Sequence, residues 1–109
     1  MAVFVVTRAH GQAWDDTLGI REQAGWPEHA VFMEDLVDDG FILLGGPLGN
    51  RERALLVVEA GDEAEVHARL ADDPWTPTDM LWTAAVELWS IWLGDAPQGR
   101  PSSVRDIKA

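Results

Sequence analysis

The residue of this sequence best suited to chemistry is His29, because an imidazole exchanges protons near neutral pH. The segment from Trp26 to Gly40 predicts a helix that has Pro27 in its first turn and Gly40 at its end. At about 100° per residue, one face of this helix is apolar and includes the histidine. That face carries His29, Phe32, Met33, Leu36 and Val37. Two interpretations stay open: a proton-transferring group beside a cavity, or a satisfied core histidine.

Other residues suit a small anionic or ring-shaped ligand. Arg8 follows the first apolar segment and could bind a carboxylate through two hydrogen bonds, although a surface ion pair is the common use of such a residue. Gly46 and Pro47 either line a pocket at a strand end or only shape a hairpin. Aromatic walls for a flat ring could come from Trp14, Trp26 and Trp75. Tryptophans more often serve the core or an interface, so these remain candidates.

The sequence argues against several other chemistries. The three histidines, His10, His29 and His67, lack the spacing of a metal-binding helix motif, so we predict no metal site. The segment around Gly45 has neither the lysine nor the following helix that a phosphate-binding loop needs. There is no cysteine for thiolate chemistry or a disulfide. We therefore expect an activity that uses no cofactor.

Composition sets further limits. A chain of 109 residues with 47% hydrophobic residues can form one small globular domain. A net charge of −11 disfavours nucleic acid and an anionic membrane surface as partners. No segment approaches the roughly 20 apolar residues of a membrane span, and the first apolar run is too short for a signal peptide. We expect a cytoplasmic protein.

The pattern of apolar runs and turn residues predicts four strands and two helices in the order β-α-β-β-α-β. The strands are predicted at Ala2 to Thr7, Phe41 to Leu44, Ala54 to Val58 and Leu81 to Leu93, and the helices at Pro27 to Asp39 and Asp62 to Ala71. The glycine pair after Leu44 is predicted to end the second strand, and the length of the fourth predicts a bulge. Residues 10–25 form a long loop. The predicted domain covers residues 1–94, followed by a polar tail at 95–109.

This order is that of the ferredoxin-like α+β fold. Two helices can cover only one face of a four-stranded sheet, yet the first and last strands are apolar on both faces. We therefore predict that a second copy of the chain covers the open face, which gives a homodimer that forms a dimeric α+β barrel.

Three short motifs in this order resemble the YCII-related (YciI-like) family over roughly residues 2–94. They are Arg21-Glu22-Gln23 before Trp26-Pro27-Glu28-His29, then Leu43-Leu44-Gly45-Gly46-Pro47, and Ala71-Asp72-Asp73-Pro74-Trp75. The resemblance implies a dimeric α+β barrel in which His29 pairs with Asp73, although Asp72 could take the same role. The long loop at residues 10–25 departs from shorter members of the family.

These observations lead to two main functional hypotheses. In the first, a cofactor-free isomerase or lyase moves a proton on a small cyclic or aromatic acid or lactone, with His29 as the acid–base group and Asp73 as its orienting partner. In the second, a non-catalytic dimer binds a small molecule in the same pocket. A purely structural His–Asp pair in a dimer module is the third possibility.

Overall fold

The computed structural model describes residues 1–94, and the tail predicted at 95–109 lies outside the described residues. The strands are β1 (Ala2–His10), β2 (Ile42–Pro47), β3 (Arg53–Ala60) and β4 (Leu81–Leu88), and the helices are α1 (Trp26–Asp38) and α2 (Glu63–Ala71). A short 3-10 helix, Ile20–Glu22, lies in the long loop after β1. No helix within residues 1–94 is long and apolar enough to cross a membrane.

The four strands form one antiparallel sheet in the order β2-β3-β1-β4. With α1 joining β1 to β2 and α2 joining β3 to β4, this is the ferredoxin-like arrangement, and it confirms the predicted fold class. It is the protomer type of the dimeric α+β barrels.

Both helices pack on one face of the sheet, where the apolar core lies. Leu36 of α1 and both Val66 and Leu70 of α2 are buried there, as their helical spacing predicts. They contact the even-numbered side chains of β1, of which Phe4 and Val6 belong to the core. The Asp62 side chain caps the start of α2, because it accepts a hydrogen bond from the Glu65 backbone N–H at 2.8 Å.

The prediction that Gly45 and Gly46 end the second strand was wrong, because β2 continues through both to Pro47. β2 is an edge strand, so a proline at its end costs the sheet no hydrogen bond on the open side. Gly45 pairs with Leu56 of β3 and Gly46 with Leu55. The pair therefore forms part of the sheet rather than a turn.

The other three strands also differ from their predicted bounds. β1 is three residues longer than predicted and ends at His10, which puts Arg8 and His10 on a strand. β3 is longer at both ends, and β4 stops at Leu88 rather than Leu93. The predicted bulge in β4 is confirmed at Ala84: Thr7 pairs with Ala85 and Arg8 with Thr83, so Ala84 has no partner on β1.

The loop at residues 11–25 is held at both ends. At its start, Gly11 lies so close to the turn before β4 that a Cβ atom there would be 2.0 Å from the Asp79 carbonyl oxygen. Near its end, the buried side chain of Gln23 donates to the carbonyl oxygens of Asp15 and Leu18 and accepts from the Asp15 N–H. The loop is therefore a fixed wall above the sheet.

Candidate active site

The site is built around a contact between α1 and the segment that follows α2. His29 lies in the first turns of α1, and Asp73 lies two residues after the end of α2. The Nδ1 atom of His29 is 2.9 Å from both carboxylate oxygens of Asp73. Asp72, the alternative partner, is exposed. The structure thus brings together the two residues that the family resemblance pairs.

Asp73 is fully buried and has two further contacts. Its Oδ1 accepts a hydrogen bond from the Trp75 backbone N–H at 2.9 Å, and its Oδ2 lies 3.7 Å from Nη2 of Arg8. A carboxylate held from three directions has one orientation, so the imidazole it binds has one orientation too. Because a carboxylate only accepts hydrogen bonds, Nδ1 of His29 carries a proton and Nε2 is the nitrogen left for the cavity.

Trp75 lies behind His29 and not on the cavity wall, contrary to its predicted role in contacting a ligand. Its ring stacks on the imidazole with centroids 3.9 Å apart, and only 1% of its surface is exposed. Its Nε1 donates to the Ala24 carbonyl at 2.8 Å. That approach requires Gly25, which has a left-handed φ of 81° and would place a Cβ 3.0 Å from Nε1 of Trp75. Trp75 therefore fixes the plane of the imidazole.

Arg8 is the buried cation of the site, with 2% of its surface exposed. None of its three guanidinium nitrogens has a hydrogen-bond partner among residues 1–94, and its one ion pair, to Asp73, is at 3.7 Å. Burial lowers the pKa of the guanidinium, and the Asp73 carboxylate opposes that shift. An arginine stays charged nonetheless, and a charge without acceptors is costly. An anionic oxygen in the cavity would supply the hydrogen-bond acceptors that the guanidinium lacks.

A cavity of about 870 Å³ lies between α1, the sheet and the long loop. This volume is within the range of sites that enclose small molecules. Arg8 and His29 lie on its wall, together with Gly46 and Pro47 of β2. Two of the three tryptophans predicted as apolar walls, Trp14 and Trp26, also line it. The cavity thus combines flat apolar walls with the buried Arg8 cation and the His29 imidazole.

A second imidazole, His10, lies on the same wall and was not among the predicted site residues. His10 lies two residues after Arg8 on β1, so both side chains point to the helix side of the sheet. Its ring stacks on Trp14 with centroids 3.7 Å apart and planes 8° from parallel. Burial lowers the pKa of His10, and the carboxylates of Asp16 and Glu52 partly oppose this. Extending the predicted strand beyond Thr7 would have revealed the alternation.

The side chains of the site suit proton transfer more than metal binding. Within residues 1–94, no three His, Asp or Glu side chains lie close enough together to hold a metal ion. The Asp73 carboxylate and the Trp75 ring face both stabilise a positive charge on the His29 ring when Nε2 takes up a proton. Arg8 can bind an anionic oxygen beside it.

Comparison with known proteins gives a likeness to a solved enzyme structure. No protein-family model matches the chain, and no curated protein sequence matches it. Among solved structures, the chain is similar to 5-chloro-2-hydroxyhydroquinone dehydrochlorinase (TftG) from Burkholderia phenoliruptrix AC1100, solved in complex with 2,5-dihydroxybenzoquinone. The TM-score is 0.58 at 25% sequence identity, over 84% of this chain and 95% of that one. The likeness supports the fold assignment over nearly the whole domain.

Proposed function

We propose that this protein is a small, cofactor-free enzyme of the YCII-related type that moves a proton on a small oxygenated ring, as a lyase or an isomerase. His29 exchanges the proton through Nε2, and Asp73 orients the imidazole without touching the substrate. Arg8 binds an acidic oxygen of the ring. The observation that carries the proposal is the buried Nδ1 contact of 2.9 Å to Asp73, with Nε2 left toward a cavity of ligand size.

The substrate class follows from the charge and shape of the cavity. A buried guanidinium without hydrogen-bond partners in the described part of the chain favours an anionic oxygen, such as a carboxylate or an ionised ring hydroxyl. Trp14 and Trp26 favour a flat apolar ring. TftG acts on a chlorinated hydroxyhydroquinone and was solved with a dihydroxybenzoquinone, both of which are small oxygenated rings. We therefore propose phenolic and quinoid rings as the first substrates to test.

A non-catalytic small-molecule-binding protein is the second candidate. The same cavity, cation and aromatic walls would serve a binder equally well, and the His–Asp pair would then only shape the site. Binding without turnover separates this candidate from the enzyme.

We also propose that the protein works as a homodimer through the open face of its sheet. Leu44 and Trp82 expose 70% and 49% of their surfaces on the face that the helices leave open. Exposed apolar surface of this kind is typical of an interface. Sedimentation equilibrium tests the dimer: a monomer at high concentration would contradict it.

The decisive experiment uses the chlorinated compound in the name of TftG and the quinone with which TftG was solved. Binding of 2,5-dihydroxybenzoquinone is measured by tryptophan fluorescence, and chloride release from 5-chloro-2-hydroxyhydroquinone is measured directly. We expect binding and turnover, with His29→Gln lowering kcat by about 10²–10⁴-fold while binding persists. His67→Gln, an exposed residue of α2, is the matched control and should keep the wild-type rate. Equal rates for the two variants would contradict the enzyme proposal.

A further inference from the structure

His10 occupies a position in the cavity that the proposed dyad leaves unused. Its ring nitrogens have no hydrogen-bond or ion-pair partner among residues 1–94, although the residue lines the cavity. Within the described part of the chain, the only ring contact of His10 is the stack on Trp14. A half-buried imidazole on a ligand-sized cavity, held in plane and with both nitrogens unengaged, can accept or donate a proton.

The two imidazoles lie at the ends of a continuous series of ring contacts. From His29 the contacts run to Trp75 at 3.9 Å, from Trp75 to Trp14 at 5.9 Å, and from Trp14 to His10 at 3.7 Å between centroids. On the sheet below, the Cα atoms of Arg8 and His10 are roughly 7 Å apart along β1. The guanidinium of Arg8 is also 3.7 Å from the Asp73 carboxylate that holds His29. Arg8 thus lies beside both imidazoles. A substrate ring bound to Arg8 would have His10 near one end and His29 near the other.

We propose that His10 is a second proton-transferring residue of this cavity, acting on the part of the ring substrate that His29 does not reach. The inference rests on the function proposed above. It assigns two roles to two imidazoles: His10 removes a proton from a ring hydroxyl, and His29, as an imidazolium beside Asp73, delivers a proton to a ring carbon.

Elimination of HCl from a chlorinated hydroxyhydroquinone requires both roles. His10 takes the first hydroxyl proton, and the electrons released toward the ring draw a proton from His29 onto the carbon that bears chlorine. The neutral His29 then takes the second hydroxyl proton, and the C–Cl bond breaks with its electron pair on chloride. The ring has lost one proton and one chloride overall. No external oxidant is needed, because the two electrons given up by the ring leave with chlorine.

The surroundings of His10 suit the role of base. The low pKa that burial gives the ring keeps it neutral at neutral pH, and the groups that oppose this shift are the carboxylates of Asp16 and Glu52. The other charged side chain on its face of β1 is Arg8, whose positive charge also favours the neutral ring. His10 is less buried than His29, so the proton it takes up can return to water.

The test compares His10→Gln and His10→Phe with wild type across pH 5–8. The Phe variant keeps a flat ring on Trp14, and the Gln variant keeps a polar side chain. The backbone carbonyl of His10, which accepts from Trp82 Nε1 at 3.3 Å, is unchanged in both, so we expect both to fold. We expect each to lower kcat/KM for chloride release from 5-chloro-2-hydroxyhydroquinone by about 10²–10³-fold and to remove the acid-side fall in the wild-type pH profile. Affinity for 2,5-dihydroxybenzoquinone should change by less than about threefold.

The outcomes distinguish this inference from the proposed function. If His29→Gln abolishes turnover and the two His10 variants keep the wild-type rate and pH profile, the role of His10 is refuted and the dyad stands. If wild type has no turnover, the enzyme proposal fails, and the His10 imidazole is then followed by NMR with and without 2,5-dihydroxybenzoquinone. A His10 titration that the bound quinone does not change would refute its contact with the ligand. A ligand-dependent titration would support it.

Discussion

The Nδ1 atom of His29 and the carboxylate of Asp73 lie 2.9 Å apart, although 44 positions separate the two residues in the chain. The contact joins the start of α1 to the segment after α2. Arg8 adds a strand to the same group through its ion pair with Asp73. Three elements thus converge on one buried carboxylate, so Asp73 contributes both to the stability of the domain and to the orientation of the imidazole.

Replacing Asp73 with Asn should therefore affect both properties. Asn keeps the size of the side chain but removes the charge that stabilises Arg8 and the oxygen pair that orients His29. We expect a loss of about 3 kcal/mol in the free energy of unfolding, because one partner of a buried ion pair remains alone. Urea unfolding measures the loss. Asp72→Asn is the matched control and should change stability by less than about 0.5 kcal/mol, since Asp72 is exposed. Equal losses would contradict this account of Asp73.

A second prediction concerns the loop that forms one wall of the cavity. Gln23 donates from Nε2 to two carbonyl oxygens, at 2.7 and 3.2 Å. In Gln23→Glu both donated bonds are lost, and a carboxylate faces carbonyl oxygens at a site with 3% exposure. We expect about 2 kcal/mol of destabilisation and faster proteolysis within residues 11–25. Gln12→Glu introduces the same charge at an exposed position of the same loop, and proteolysis at the wild-type rate is expected for it. Similar cleavage of the two variants would mean that charge alone opens the loop.

The sequence was most informative where a repeating pattern reflects burial. The order of elements and the apolar face of α1 both depend on residues close together in the chain, so local rules predict them. His29 is identifiable from sequence because one imidazole interrupts an apolar stripe. Its pairing with Asp73 depends on how α1 meets the segment after α2 in the folded chain, which no local pattern records, and only the family resemblance implies it.

The errors have equally specific causes. Gly45 and Gly46 carry turn signals, but an edge strand tolerates them, so tertiary pairing with β3 overrode the local preference. The end of β1 contains polar residues, so the apolar pattern stops at Thr7 and does not predict that the strand continues to His10. The position of His10 on the cavity was missed for the same reason. Trp75 is predicted as a cavity wall but lies behind His29, because sequence alone does not distinguish a wall of a cavity from the layer behind it.

A third prediction uses the two adjacent glycines of β2. A Cβ at Gly45 would lie 2.8 Å from Cδ2 of Leu56, a buried core side chain, whereas a Cβ at Gly46 meets no heavy atom within 4 Å. We expect Gly45→Ala to destabilise the domain by about 1–2 kcal/mol, because Leu56 has to move in a packed core. Gly46→Ala should be within about 0.5 kcal/mol of wild type. Thermal unfolding of the two variants side by side measures the difference, and a larger loss for Gly46→Ala would contradict the packing described for β2.

The last prediction concerns pH and follows from the lowered pKa of His10. In the unfolded chain this group has its ordinary pKa near 6.5, and in the folded chain burial holds the pKa lower. Well above pH 6.5 the ring is neutral in both states, so it adds no pH dependence to stability. As the pH falls below 6.5, the unfolded chain binds a proton that the folded chain does not, and stability decreases until the folded pKa is passed.

His10→Gln removes this proton difference, so its loss of stability on acidification should be smaller than that of wild type over this window. Urea midpoints measured between pH 7 and pH 5 test this. Asp16→Asn and Glu52→Gln provide the converse variants, because each removes a carboxylate that opposes the shift. In both, the pKa of folded His10 falls further, and the window of decreasing stability should extend to lower pH. Parallel curves for wild type and His10→Gln would show that burial does not disfavour the protonated His10 ring.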